Sequence, residues 1–180
     1  MKSVVLIGMK HCGKSTQGAM LAEALGLPFI DVDTAIEQLF SANTERALNC
    51  REIYKEFGQE YFRRLEAEAV ARLLDDAAPR VVAFGGGAVE NPFLPKEWQK
   101  LGTVVYLEAE SIALYRRIEE KGLPPYLANA EDPFAEFCRI TAERATGFHA
   151  AADVTFALDM SGRAADNHKK LVALLRERAI

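Results

Sequence analysis

The stretch Gly8-Met9-Lys10-His11-Cys12-Gly13-Lys14-Ser15-Thr16 sets two glycines around four residues and follows the second at once with a lysine and two hydroxyl residues. That spacing suits a loop whose backbone N–H groups turn toward phosphate oxygens while the following helix adds the positive end of its dipole. In such a loop Lys14 neutralises the β- and γ-phosphates of a nucleotide and the Ser15 hydroxyl ligates Mg2+. Gly8, Lys10, His11, Cys12, Gly13, Lys14, Ser15 and Thr16 are therefore the expected nucleotide-binding residues. His11 and Cys12 stand where small, flexible residues are commoner. One reading uses only their backbone, with His11 pointing outward, since His tolerates positive φ better than most residues. The other has His11 or Cys12 touching the nucleotide, or the thiol sensing redox state.

Four further groups carry chemical potential. In Asp31-Val32-Asp33 the two carboxylates lie two residues apart, which on a strand puts them on one face. Beside a phosphate loop, one suits holding Mg2+ through water and the other orienting or deprotonating an acceptor hydroxyl. Taken alone, they read as capping acids at a strand end. Arg63, with Glu66 one turn on, has the fork geometry that grips a carboxylate. Arg63, Arg64 and Glu66 read equally as a solvated helix face. Gly85-Gly86-Gly87 lets backbone approach a ligand closely, or forms a plain turn. Arg144 by itself means little.

The elements that must position these groups follow from the pattern of apolar runs. Ser3–Gly8 is apolar on consecutive residues, as in a parallel strand covered on both faces. A helix is predicted over Lys14–Leu25, stopped by Gly26 and Pro28. Phe29–Val32 is a short strand, and Thr34 with Glu37 forms a capping box for a helix over Ala35–Phe40. Ser41–Gly58 is polar and mixed, suiting short helices around an irregular turn. Gln59–Asp75 is a long helix. Val81–Phe84, Thr103–Leu107 and Val154–Leu158 are strands. Ser111–Glu120, a segment from Pro133 to about Ala145, and Ala164–Arg178 are helices. Between them, "EKGLPPYLANAEDP" is a loop long enough to be functional or mobile. Strands separated by helices define an α/β parallel sheet, and ligands of such sheets bind at the carboxyl ends of the strands. Gly8, Asp31, Asp33 and the Gly85 triplet all fall at such ends.

Bulk properties bound the rest. The 180 residues fit one domain, or one domain with a small insertion, and a net charge of −4 argues against a dedicated nucleic-acid binder. The N-terminal apolar run is too short for a membrane span. Cys12, Cys50 and Cys138 are odd in number and widely spaced, with no metal-site spacing, which suits a reducing cytoplasm.

In order along the chain, "GMKHCGKST", "DVD", "GQEYFRRLE", "GGG", "VVYLEA" and "ERATGFHAAAD" resemble the shikimate kinase family of nucleoside-monophosphate-kinase-like P-loop enzymes. The resemblance implies a three-layer α/β/α P-loop NTPase fold with a five-stranded parallel sheet in the order 2-3-1-4-5. It implies a single kinase domain over residues 1–180, an acceptor-binding segment at about 33–63 and a mobile lid at about 118–134. It implies transfer of the γ-phosphoryl of ATP, with Mg2+, to the 3-hydroxyl of shikimate. A cytoplasmic monomer with no nucleic-acid or membrane partner is expected. Carried across, Lys14 and Ser15 hold phosphates and Mg2+, and Asp31 assists the metal. Asp33 binds the acceptor hydroxyls and acts as base, so Lys14 and Asp33 are the catalytic pair. Arg63 and Arg144 grip the substrate carboxylate, Gly85, Gly86 and Gly87 contact substrate, and Glu66 supports its site. Arg117 and Arg163 flank adenine.

Two departures bear on the reading. The segment between Asp33 and Arg63 is longer near Ser41–Asn49 than the family pattern. The lid has Pro124-Pro125-Tyr126-Leu127 where the family has Arg-Pro-Leu-Leu, and an arginine on a transferring phosphoryl group is worth about 10³–10⁵ in rate. Lys121, Arg116 and Arg117 are the candidates to replace it. The alternatives to shikimate phosphorylation are a kinase of another small hydroxy acid or polyol, or a nucleotide-binding regulatory module with weakened catalysis.

Overall fold

Strands Val4–Ile7 (β1), Phe29–Asp31 (β2), Val81–Ala83 (β3), Thr103–Glu108 (β4) and Val154–Ala157 (β5) form one sheet in the order β2-β3-β1-β4-β5. The structure is a computed structural model and describes residues 2–120, 122–178 and 180. All four pairings are parallel, with Val4 opposite both Val81 and Thr103. Every residue of β1 is buried, as expected for a central strand with helices over both faces. The expected fold class and strand order are therefore observed.

Helix α1 (Lys14–Leu25) springs directly from the loop after β1 and closes at Gly26, whose φ of 65° is the left-handed turn that glycine makes without strain. Helix α2 (Val32–Thr44) starts earlier than predicted. Its cap is the Asp31 carboxylate, which accepts the Asp33 N–H at 3.0 Å, so the expected Thr34–Glu37 box does not form. Thr34 lies inside the helix, and Glu37 instead accepts the Cys50 N–H at 3.0 Å, tying α2 to the next helix.

That helix, α3 (Cys50–Asp75), opens with a capping box between Asn49 and Glu52 and breaks at Gly58, where φ is 84°. The break separates a short first piece from the long helix predicted from Gln59. Residues 41–44 lengthen α2 beyond the predicted end at Phe40, and residues 45–49 return the chain to α3. Arg46 in this return pairs with Glu56 at 2.8 Å and lies over the Phe57 ring at 5.8 Å.

Helices α4 (Ser111–Glu120), α5 (Pro125–Ala128), α6 (Pro133–Ala151) and α7 (Ala164–Glu177) complete the layers. Asp132 caps α6 by accepting the Ala135 N–H at 3.0 Å, and the helix continues to Ala151 rather than ending near Ala145. The segment predicted as a loop contains the single turn α5. Leu127 in that turn is buried in the core and donates its N–H to the Pro124 carbonyl at 2.9 Å.

Gly102, between the turn Trp98–Leu101 and β4, is where the sheet register leaves no room. A Cβ there would overlap the Ser3 carbonyl oxygen, the acceptor of the Thr103 N–H at 2.9 Å. Gly102→Ala is expected to lower stability by about 1–3 kcal/mol in urea unfolding. An unchanged midpoint would contradict this packing.

Candidate active site

The order β2-β3-β1 decides which motifs meet. Chain leaving the carboxyl ends of these three neighbours carries Asp31 and Asp33, Gly85 to Gly87, and the loop from Gly8 to Thr16. The glycine triplet follows the middle strand and stands between the other two groups.

The loop after β1 has the backbone that phosphate binding requires. Gly8 (φ 145°), His11 (φ 66°) and Gly13 (φ 106°) all have positive φ. Gly8 has no alternative, since a Cβ would come within 2.6 Å of the Leu107 carbonyl oxygen. His11 takes the left-handed conformation that its residue type allows, and its carbonyl accepts the Arg117 guanidinium at 3.3 Å. Cys12 is 3% exposed, so the loop offers no accessible thiol for redox sensing. Lys14 is buried, its ammonium donating to the carbonyls of Gly8 at 2.9 Å and Met9 at 2.8 Å. Ser15 and Thr16 begin α1 exposed to solvent.

The Ser15 hydroxyl donates to Asp31 at 2.6 Å. A hydroxyl and a carboxylate so placed are hard oxygen donors suited to Mg2+, which takes one or two protein ligands and completes its shell with water and phosphate. No group of three His, Cys, Asp or Glu side chains among the described residues forms a closed metal cage. Asp33 is not on the strand, so strand alternation does not explain its position. It stands in the first turn of α2, one residue after the strand-to-helix change, because Asp31 caps that helix. The residue is exposed at the surface, yet desolvation by the surrounding atoms, then the neighbouring Asp31 charge, raises its pKa above the ordinary carboxylate value; Lys10 and Lys14 oppose this, and Glu37 adds to it.

On α3 the Arg63 guanidinium donates to Glu66 at 2.7 Å. Glu66 is 1% exposed, so the pair is not a solvated helix face. Burial raises the Glu66 pKa, and the charge and hydrogen bonds of Arg63 and Asn91 counter it. The triglycine lies against all of these groups. A Cβ on Gly85 would stand 3.1 Å from Glu66 and 3.2 Å from Asp33; one on Gly86, 2.7 Å from the Lys10 backbone nitrogen; one on Gly87, 2.5 Å from the Arg63 guanidinium. This close approach, rather than a plain turn, accounts for the three glycines.

The remaining predicted residues sit further out. Arg144 on α6 donates to Glu90 at 3.1 Å, at the end of the short turn Ala88–Glu90 that follows Gly87. Both arginines therefore end on one segment. Arg163 precedes α7, is well exposed and pairs with Asp166 at 3.0 Å. Gln17 of α1 donates to the Ala164 carbonyl at 2.9 Å, which docks the start of α7 beside the phosphate-loop helix. Of the candidates to replace a lid arginine, Arg117 is on the His11 carbonyl, Arg116 is exposed, and Lys121 lies outside the described residues.

Asn91 and Cys50 were not legible as site residues. The Asn91 amide donates to Glu66 at 2.9 Å and to the Arg63 carbonyl at 2.7 Å, and its oxygen accepts the Phe93 N–H. A lone asparagine in a loop has no spacing that signals this. Cys50, at the start of α3, donates its thiol to the Asp33 carbonyl at 3.3 Å. Burial, then the charges of Asp33 and Glu37, push its pKa well up and keep it protonated.

A phosphate loop after β1 that meets Asp33, Glu66 and Arg63 across the triglycine following β3 defines a P-loop phosphotransferase for a small acceptor. Comparison with known proteins narrows the class. A family model described as shikimate kinase matches residues 10–174. A shikimate kinase of Rhodopseudomonas palustris is 38% identical over 156 residues, covering 87% of this chain and 72% of that protein. A solved shikimate kinase from Acinetobacter baumannii, in complex with shikimate, has a TM-score of 0.82 at 27% identity, covering 99% of this chain and 94% of its own. One from Bacteroides thetaiotaomicron has a TM-score of 0.76 at 27% identity, covering 97% and 98%. The chain belongs to the shikimate kinase family, small-molecule kinases that use ATP.

Asn91→Ala leaves Glu66 with one partner fewer in a buried place. It is expected to cost about 1–3 kcal/mol of stability and to raise the acceptor KM while the ATP KM holds. Urea unfolding and steady-state kinetics check this; an unchanged acceptor KM would remove Asn91 from the site.

Proposed function

We propose that this chain transfers the γ-phosphoryl group of ATP to the 3-hydroxyl of shikimate, with Mg2+ bound through Ser15 and Asp31. The observation that carries the reading is the meeting of Asp33, Arg63, Glu66 and the phosphate loop on Gly85-Gly86-Gly87. A carboxylate and a cation together beside a nucleotide loop support transfer to an acceptor that itself bears a carboxylate.

In this reading the backbone N–H groups of the loop from Gly8 to Thr16 face the phosphates, and Lys14 supplies its ammonium to the β- and γ-phosphates. Bound Mg2+ would neutralise phosphate charge. Asp33 accepts the hydroxyl proton, a role its raised pKa suits, because a carboxylate raised from its ordinary pKa is a stronger base. Arg63, held by Glu66, takes the substrate carboxylate together with Arg144. Arg117 and Arg163 flank adenine. Residues of about 33–63 form the acceptor-binding segment and about 118–134 the lid of one domain over residues 1–180. The protein works as a cytoplasmic monomer without nucleic-acid or membrane partners; the acidic balance supports the lack of a nucleic-acid partner. No described helix is long and apolar enough to cross a membrane.

Coupled ADP release with Mg-ATP against shikimate, other hydroxy acids and no acceptor tests the reading. Turnover on shikimate is expected. Turnover only on another hydroxy acid or polyol would reassign the acceptor, and ATP binding without turnover on any would favour a regulatory module. Lys14→Ala and Asp33→Asn are expected to abolish turnover. Arg63→Ala should raise the acceptor KM by at least about tenfold, roughly 1.4 kcal/mol of binding. Unchanged acceptor affinity would refute the role of Arg63.

A further inference from the structure

Phosphoryl transfer concentrates negative charge on the oxygens around the moving phosphorus, and catalysis depends on cations placed there. Most of the cations assigned to the site are committed to partners within the chain. Lys14 is buried on the carbonyls of Gly8 and Met9. Arg63 is on Glu66, Arg144 on Glu90, and Arg117 on the His11 carbonyl. The segment from Gly122 to Pro133 contains no lysine or arginine.

Lys10 differs from these. Its backbone lies against Gly86, and a Cβ on that glycine would come within 2.7 Å of its nitrogen and 3.3 Å of its own Cβ. Asp33 lies against the next glycine along, Gly85, at 3.2 Å on the same measure. Lys10 and the acceptor base thus flank one strand tip, between the phosphate loop and the acceptor pocket. The Lys10 side chain is exposed, and its ammonium makes no hydrogen bond or ion pair among the described residues. Its charge nevertheless reaches Asp33, since Lys10 and Lys14 are the two cations that counter the rise in that carboxyl's pKa.

We infer that Lys10 is a further catalytic residue, whose ammonium neutralises the phosphoryl group as it passes from ATP to the acceptor hydroxyl. This rests on the proposed kinase reading and assigns a transition-state role within it. In the step, the bond from the γ-phosphorus to the β,γ-bridging oxygen breaks and its electron pair leaves with ADP. The acceptor oxygen forms the new bond to phosphorus and its proton goes to Asp33. Lys10 keeps all its protons throughout. A cation that binds the moving group more tightly than bound ATP raises kcat rather than lowering KM.

The test is steady-state kinetics of Lys10→Met and Lys10→Arg beside wild type, with ADP affinity measured by calorimetry. Lys10→Met is expected to lower kcat by about 10²–10³-fold, the scale of losing one group that stabilises transition-state charge. Both KM values and ADP affinity should stay close to wild type, and Lys10→Arg should recover most of the rate. Lys10 is exposed, so ADP affinity also reports that the variant is folded. An unchanged kcat in Lys10→Met overturns the inference. So does a loss confined to the ATP KM, which would make Lys10 a ground-state phosphate ligand. Wild-type turnover on another hydroxy acid but not on shikimate overturns the acceptor assignment alone, and the Lys10 comparison is then made with that acid.

Discussion

Three consecutive positions without a Cβ hold the two halves of this site together. Gly85 faces the carboxylates of Asp33 and Glu66, Gly86 faces the Lys10 backbone, and Gly87 faces the Arg63 guanidinium, each at a distance where a side chain would force a shift. Because β3 lies between β2 and β1, this one segment lies against both the phosphate loop and Asp33, Glu66 and Arg63. Phosphoryl transfer requires nucleotide and acceptor in line and nearly in contact. A wider seam would leave every catalytic group present and the reacting atoms apart.

The electrostatics follow from that crowding. Burying Glu66 would be costly without a partner, and Arg63 with Asn91 supplies two. The bond to Glu66 fixes the direction of the Arg63 guanidinium. Asp33 is held differently. Among the described residues no cation is hydrogen-bonded to its carboxylate, and Lys10 and Lys14 counter the rise in its pKa through charge alone. The two acids beside Gly85 both have raised pKa values and differ in pairing, since only Glu66 is hydrogen-bonded to Arg63 and Asn91.

Much of the fold was legible because its signals are local. The buried β1, the loop glycines and the stop at Gly26 each rest on a few adjacent residues. The position of Asp33 was legible and the reason for it was not. Strand alternation and a helix cap both put Asp31 and Asp33 near one site, and only backbone geometry distinguishes them. The extent of α2 was missed because Thr34 and Glu37 match a capping box by spacing alone, while Glu37 is used across a tertiary contact to Cys50. Asn91 and Cys50 act through partners distant in sequence, which no single-chain spacing reveals. The charge-poor segment after Gly122 was legible, but its anchoring through the buried Leu127 and the untied cation at Lys10 were not.

Calorimetric titration of shikimate into Gly87→Ala, with ADP titrated in parallel, tests the central claim most directly. If the triglycine seats Arg63, the added methyl displaces its guanidinium, weakens shikimate binding by about tenfold or more, and leaves ADP affinity intact. Shikimate binding at wild-type strength in Gly87→Ala would contradict the account.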